Sequence, residues 1–166
     1  MTRWLLPSVI VTGLCLTSPA NALNISVGDW DYPSSAFNAI TGAGDYYDSV
    51  INSSSTAAAL SVGSAPSSPV VSNSECGATD PAWRVTAYLS SIVTGLTIRI
   101  KRTGNGVGGA VYGGESYSTL STTPITLFCG NGDVSDINLQ FQVDGLDVMD
   151  GYGLKTWNAN YTVETL

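Results

Sequence analysis

The sequence predicts an all-β protein: a single β-sandwich of about seven or eight antiparallel strands behind a cleaved leader. Three observations carry this. Apolar and polar residues alternate with period two through most of the chain, helical periodicity is nearly absent, and Gly, Pro, Asn and Asp clusters separate the alternating runs. With 166 residues, one domain is the default.

The N-terminus reads as a secretory signal peptide over residues 1–22. Arg3 supplies the positive start and Leu5 to Leu16 the apolar stretch, inside the roughly 7–15 residues expected of one. Ala20-Asn21-Ala22 then places small residues at the cleavage site, so the domain is expected to span residues 23–166. The apolar stretch falls short of the ~20 residues a membrane span needs, and no second such run follows. The expected location is outside the cytoplasm: extracellular, at the cell surface or periplasmic.

The strands are then read in order. Leu23, Ile25 and Val27 alternate in a first short strand, and Tyr47, Ser49 and Ile51 in a second. Two fates are open to the first: pairing within its own sheet, which is expected, or completing the sheet of a neighbour. Ala58, Leu60 and Val62 mark a third strand, and Trp83, Val85, Ala87 and Leu89 a fourth. Leu96, Ile98 and Ile100 alternate against Thr97, Arg99 and Lys101, which predicts an apolar-in, basic-out strand. Ile125, Leu127 and Cys129 form another. Ile137, Leu139, Phe141 and Val143 face the core while Asn138, Gln140 and Gln142 face water. Trp157, Ala159, Tyr161 and Val163 alternate in the closing strand. Turns are expected at residues 64–69, at Gly104-Asn105-Gly106 with Gly108-Gly109, and at Gly130-Asn131-Gly132-Asp133. Residues 34–40 have room for one helical turn.

Charge and composition exclude several function classes. Only 11% of residues are charged and 43% are hydrophobic, so the polar face is covered by hydroxyls and amides, as on exported β-proteins. The net charge is −7, and losing Arg3 with the leader makes it more negative. Such a surface suits neither nucleic acid nor an anionic membrane. There are no histidines, which removes Ser-His-Asp and Cys-His catalysis and histidine-ligated zinc. A Ser-Lys dyad would need Lys101 or Lys155, and neither lies in a motif. Carboxylate chemistry remains open, but nothing marks a pair. The chain reads as a non-enzyme.

Candidate sites are few. Cys76 and Cys129 remain once Cys15 leaves with the leader, and an oxidising compartment favours their disulfide. Asn131, Asp133 and Asp136 carry oxygen ligands suited to calcium. Their spacing is not that of an EF-hand, and turn capping explains the same residues. Asp144, Asp147 and Asp150 extend the acidic stretch. Among the aromatic residues, Tyr46, Tyr47, Tyr152 and Trp157 offer rings, while Tyr112 and Tyr117 flank Gly113-Gly114 and are the better candidates for stacking on a sugar. Arg99, Lys101 and Arg102 read as one basic strand face, either edge protection or a contact for an acidic partner. No cofactor is expected unless calcium binds.

The leader, the alternating segment Leu23 to Val27, the single cysteine pair and the closing strand with Tyr161-Thr162-Val163 together resemble small exported bacterial β-sandwich domains of the fimbrial-subunit and Ig-like adhesin type. The resemblance covers the mature chain as a pattern and implies the fold and a surface location. It identifies no binding residue. The expected function is a non-enzymatic structural or adhesive surface domain, with a role open to it as a subunit of an extracellular assembly that pairs strands with itself or with other surface proteins. The alternative is a secreted carbohydrate- or calcium-dependent binding module.

Overall fold

The computed structural model describes residues 24–27, 50–92, 94–145 and 157–166. The expected leader and its expected cleavage point, the segment 31–45, Tyr46, Tyr47, Ser49, Asp147, Asp150, Tyr152 and Lys155 lie outside the described residues.

Among the described residues there are eleven strands and no helix. They are β1 (Asn24–Val27), β2 (Val50–Asn52), β3 (Ala58–Gly63), β4 (Ser74–Glu75), β5 (Ala78–Thr79) and β6 (Trp83–Leu89). Then follow β7 (Thr97–Arg102), β8 (Val107–Tyr112), β9 (Ser118–Thr119), β10 (Ile125–Asp144) and β11 (Ala159–Thr165). Period-two burial accounts for the long ones. In β3 and β6, and again in β7, every second residue is buried and its neighbours are half-buried. One face therefore seals against a core while the other stays partly wet.

All pairings are antiparallel, and β10 is their hub. One edge of this 20-residue strand meets β6 at Ile125–Gly130, β3 at Val134–Leu139 and β2 at Gln142–Asp144. Its other edge meets β8 at Cys129–Ser135 and β7 at Leu139–Asp144. β11 adds to β6, β1 to β3 and β9 to β7. Register shifts at Thr126/Phe128, Asn131/Val134 and Val134/Ile137 mark bulges in β10, and bulges bend a strand. The outer strands β1 and β11 come to lie near each other, so the large sheet is nearly barrel-like. The enclosed core contains Leu60, Val85, Ile98, Ile100, Ile137 and Leu139, with Trp83 edge-on to Phe128 at 6.5 Å between ring centroids.

Two expectations are corrected, and three short strands are added to those read from sequence. The runs around Cys129 and Phe141 are one strand, not two, and Gly130-Asn131-Gly132-Asp133 is no chain-reversing turn. Turn-forming composition yields here to ladder bonds on both edges. Gly130 is a glycine for steric reasons: a Cβ on it would lie 2.2 Å from Trp83 Cζ2 and 2.4 Å from the Ala110 carbonyl oxygen. Second, the stretch broken by Gly108-Gly109 is strand β8 rather than a loop, and Tyr112 is its last residue. The added strands β4, β5 and β9 have two residues each, too short for periodicity to reveal.

The first segment pairs with its own chain: Ile25 lies opposite Val62 and Val27 opposite Leu60. Ile25 and Val27 pack against the core.

The β4–β5 hairpin turns through Cys76-Gly77, both at positive φ (53° and 75°), as a two-residue hairpin of type I′ requires. Asp80 fastens the loop ahead of it. Its Oδ1 accepts bonds from Ser72 Oγ (2.7 Å) and from the Asn73 N–H (2.9 Å). These bonds, the Ser72 one foremost, hold the Asp80 carboxyl below its ordinary 3.8. A depressed folded-state pKa contributes stability above the unfolded value, and that contribution is lost as pH falls through the folded one. Asp80→Asn is therefore expected to lower the denaturation midpoint at neutral pH and to narrow its gap to the parent below pH 3.8. Denaturation curves at the two pH values measure this, and a constant gap would contradict it.

Candidate functional site

Two sequence-singled residues, Lys101 and Tyr117, meet on the outer face of the sheet formed by β2, β10, β7 and β9. Register places Arg99 opposite Gln142 and Lys101 opposite Gln140, with Asn52 on the far side of Gln142. Arg99 Nη1 donates to Gln142 Oε1 (3.0 Å) and pairs with Asp144 (3.2 Å). Gln142 Nε2 and the Tyr117 hydroxyl both donate to Asn52 Oδ1, at 2.9 and 3.0 Å. Gln140 Nε2 donates to the Ser53 carbonyl (2.9 Å). Lys101 Nζ sits 4.6 Å above the Tyr117 ring, and among the described residues no carboxylate pairs with it. Partial burial raises the Tyr117 hydroxyl above its usual pKa, so it stays a neutral donor. The result is a row of planar amides and a guanidinium beside a tyrosine. Tyr112 is not part of it; it lies half-buried opposite Cys129 on β8.

Arg102 does not share the face of Arg99 and Lys101. Alternation puts it on the core side with Ile98 and Ile100, and it is 4% exposed. The burial is tolerated because each of the three guanidinium nitrogens finds an acceptor. Nε donates to the Gly113 carbonyl (2.8 Å), Nη1 to the Gly104 carbonyl (3.3 Å) and to Asn105 Oδ1, and Nη2 pairs with Glu115 (2.9 Å). The single basic face read from sequence is thus split in two. Strand parity alone was signal enough to separate Arg102 from its neighbours.

The cysteines are bonded. Cys76 and Cys129 form a disulfide with Cα atoms 5.8 Å apart, tying the β4–β5 hairpin to β10. Beside it Arg84 bridges Glu75 and Glu164, each at 2.8 Å, and so links β4, β6 and β11.

No protein-family model, curated protein or solved structure matches this chain. Function must be argued from these groups alone.

The acidic bend sits where β10 changes partners. Asn131 Oδ1 accepts from the Ala82 N–H (2.6 Å) and Asp133 Oδ1 from the Ala65 N–H (2.7 Å). The Asp136 N–H donates to Ser61 Oγ (3.1 Å), and Asp136 has a positive φ of 57°. The Asn131 and Asp133 side chains thus cap backbone N–H groups, while Asp136 is held through its own backbone. Among the described residues no three of His, Cys, Asp and Glu gather as a metal site. Adding calcium, or removing it with a chelator, is expected to leave the melting temperature unchanged. A rise with calcium concentration, read by thermal denaturation, would assign the bend to the ion.

Strand β8 is one of the outer strands, as are β1, β2, β9 and β11. It pairs with β10 on one edge, and no strand pairs with its other edge among the described residues. Its sequence, Val-Gly-Gly-Ala-Val-Tyr, carries no charge and no proline, its first three residues are exposed, and Val107 is 70% exposed. By contrast β11 carries Glu164, in an ion pair, and lies near β1.

Proposed function

We propose that this chain is a non-enzymatic exported domain, structural or adhesive, that works as a subunit of an extracellular assembly. We read the two arms that meet on β10 as the layers of a β-sandwich of the fimbrial or Ig-like kind. The observation that carries the reading is the edge of β8 with which no strand pairs among the described residues. Proteins that remain alone blunt such an edge with lysine, proline or an inward charge, because its free N–H and C=O groups template another strand. β8 has none of these side chains. Support for export comes from the leader-like residues 1–22 and from a disulfide, which an oxidising compartment sustains.

A second reading, a carbohydrate-binding module, rests on the amide row of Asn52, Gln140 and Gln142 with Arg99 and Tyr117. Planar amides and guanidinium groups bond sugar hydroxyls from a flat, preorganised surface.

Sedimentation velocity over a concentration series separates the two. The parent chain is expected to associate. Val107→Lys, at an exposed position, is expected to weaken association by about tenfold, since like charges face each other across a shared edge, with the melting temperature unchanged. A chain that stays monomeric throughout and is stabilised by a glycan would overturn the assembly reading in favour of the second.

A further inference from the structure

We propose that Asn105 is a site of spontaneous deamidation and that Arg102 promotes the reaction. The sequence holds two Asn-Gly dipeptides, Asn105-Gly106 and Asn131-Gly132. Glycine leaves the following backbone nitrogen open to attack the asparagine side chain, so sequence alone ranks the two as equal. The structure separates them.

Asn105 is exposed in the connection between β7 and β8. Among the described residues the Gly106 N–H has no acceptor, so the nucleophilic nitrogen is free. Asn105 Oδ1 accepts a bond from Nη1 of buried Arg102. At Asn131 each group is committed. The residue lies inside β10, its Oδ1 takes the Ala82 N–H, and the Gly132 N–H donates to the Pro66 carbonyl at 2.7 Å. Gly132 is held again by Trp83 Nε1 on its carbonyl (3.0 Å). Closing a ring there would break ladder and side-chain bonds together.

The reaction at Asn105 needs only water. The Gly106 nitrogen gives up its proton to solvent and bonds to Asn105 Cγ. Negative charge collects on Oδ1, where the Arg102 guanidinium already donates, as donors do in an oxyanion hole. The Cγ–Nδ2 bond then breaks, the nitrogen takes up a proton and leaves as ammonia, and a succinimide remains. Water opens the ring at either carbonyl to give aspartate or isoaspartate. The carboxylate formed faces Arg102, whose other carboxylate, Glu115, is 77% exposed on its side chain. The product is therefore paired as it forms.

The test follows both sites by peptide mapping with mass spectrometry that resolves aspartate from isoaspartate. The intact chain is incubated at mildly alkaline pH, folded and in guanidinium chloride. Unfolded, the two sites are expected to react at similar rates. Folded, Asn131 is expected to slow by more than about tenfold, while Asn105 reacts at least as fast as when unfolded. Folded Asn105 reacting more slowly than unfolded Asn105 would overturn the proposal. The role of Arg102 is read in Glu115→Gln, which removes an exposed competitor for the guanidinium and keeps Arg102 in place. The Asn105 rate is expected to rise severalfold with Asn131 unchanged. An unaltered Asn105 rate would remove Arg102 from the mechanism.

Discussion

Replacing Cys76 and Cys129 together with serine is expected to lower the unfolding free energy by about 2–5 kcal/mol. The bond joins residues 53 apart in sequence, and closing a loop of that size in the unfolded chain accounts for roughly 4 kcal/mol in the chain-entropy model. The folded side of the equilibrium adds a local reason. The β4–β5 hairpin pairs only with itself, over two residue pairs, and an isolated hairpin is marginal in water. The disulfide and the Glu75–Arg84 pair at 2.8 Å attach it to the large sheet, while the bonds of Asp80 to Ser72 and Asn73 only close its own base. Ion pairs this exposed contribute about 1 kcal/mol at most, so the covalent link dominates. Denaturant titration with and without reductant measures the loss. Hydrogen exchange should show residues 74–79 opening first in the serine variant. A change below about 0.5 kcal/mol, the scale of an ordinary surface substitution, would show that the core holds the hairpin unaided.

Gly130→Ala is expected to cost about 3 kcal/mol or more, at the upper end of overpacking effects. The added methyl meets Trp83 Cζ2 at 2.2 Å on one side and the Ala110 carbonyl oxygen at 2.4 Å on the other. Neither can yield cheaply. The indole is fully buried, edge-on to Phe128 and tied through Nε1 to the Gly132 carbonyl. The Ala110 oxygen belongs to backbone in the β8–β10 ladder, with Ala110 opposite Asn131. Relief requires moving either the largest core side chain or strand β8. Chemical denaturation gives the magnitude, and near-ultraviolet circular dichroism reports whether Trp83 has lost its fixed surroundings. A loss under about 1 kcal/mol, with the Trp83 signal intact, would mean that β8 shifts freely on β10.

What was legible in the sequence follows from what periodicity reports. Alternation is visible wherever one strand face is buried and the other is wet. It therefore placed the inward apolar residues of Ala58–Gly63, Trp83–Leu89, Thr97–Arg102 and the run from Ile137 to Val143, but not inward Arg102, whose charge was read ahead of its parity. Tyr161 and Val163 of the closing strand pack against the core as their parity requires. Where local composition and tertiary pairing conflict, pairing wins. Gly130 to Asp133 has the residues of a turn, but Gly130 and Asn131 pair with β8 and the strand runs on through a bulge at Gly132-Asp133. Val107–Tyr112 has two glycines inside it and no alternation, because three of its residues are exposed and the other three half-buried. Of the candidate site, Tyr117 and Lys101 were visible as residue types. Their neighbours Asn52 and Gln142 were not, since contacts across 65 and 90 residues of chain leave no local trace.

Composition, the missing histidines and period-two patterning determined by themselves that this is a β-rich chain without histidine chemistry, and Cys76 and Cys129 were the two cysteines outside the expected leader. These are properties of residue type and local spacing, which every conformation of the chain shares. Only the tertiary structure decided that β10 serves both arms, that Arg102 is buried while Arg99 and Lys101 stay outside, that no strand among the described residues pairs with the second edge of β8, and that of two Asn-Gly pairs the Gly132 N–H is bonded while the Gly106 N–H has no acceptor among the described residues. Each of these depends on which distant strand lies alongside. That choice is made by the joint burial of side chains far apart in sequence, and no window of the sequence contains it.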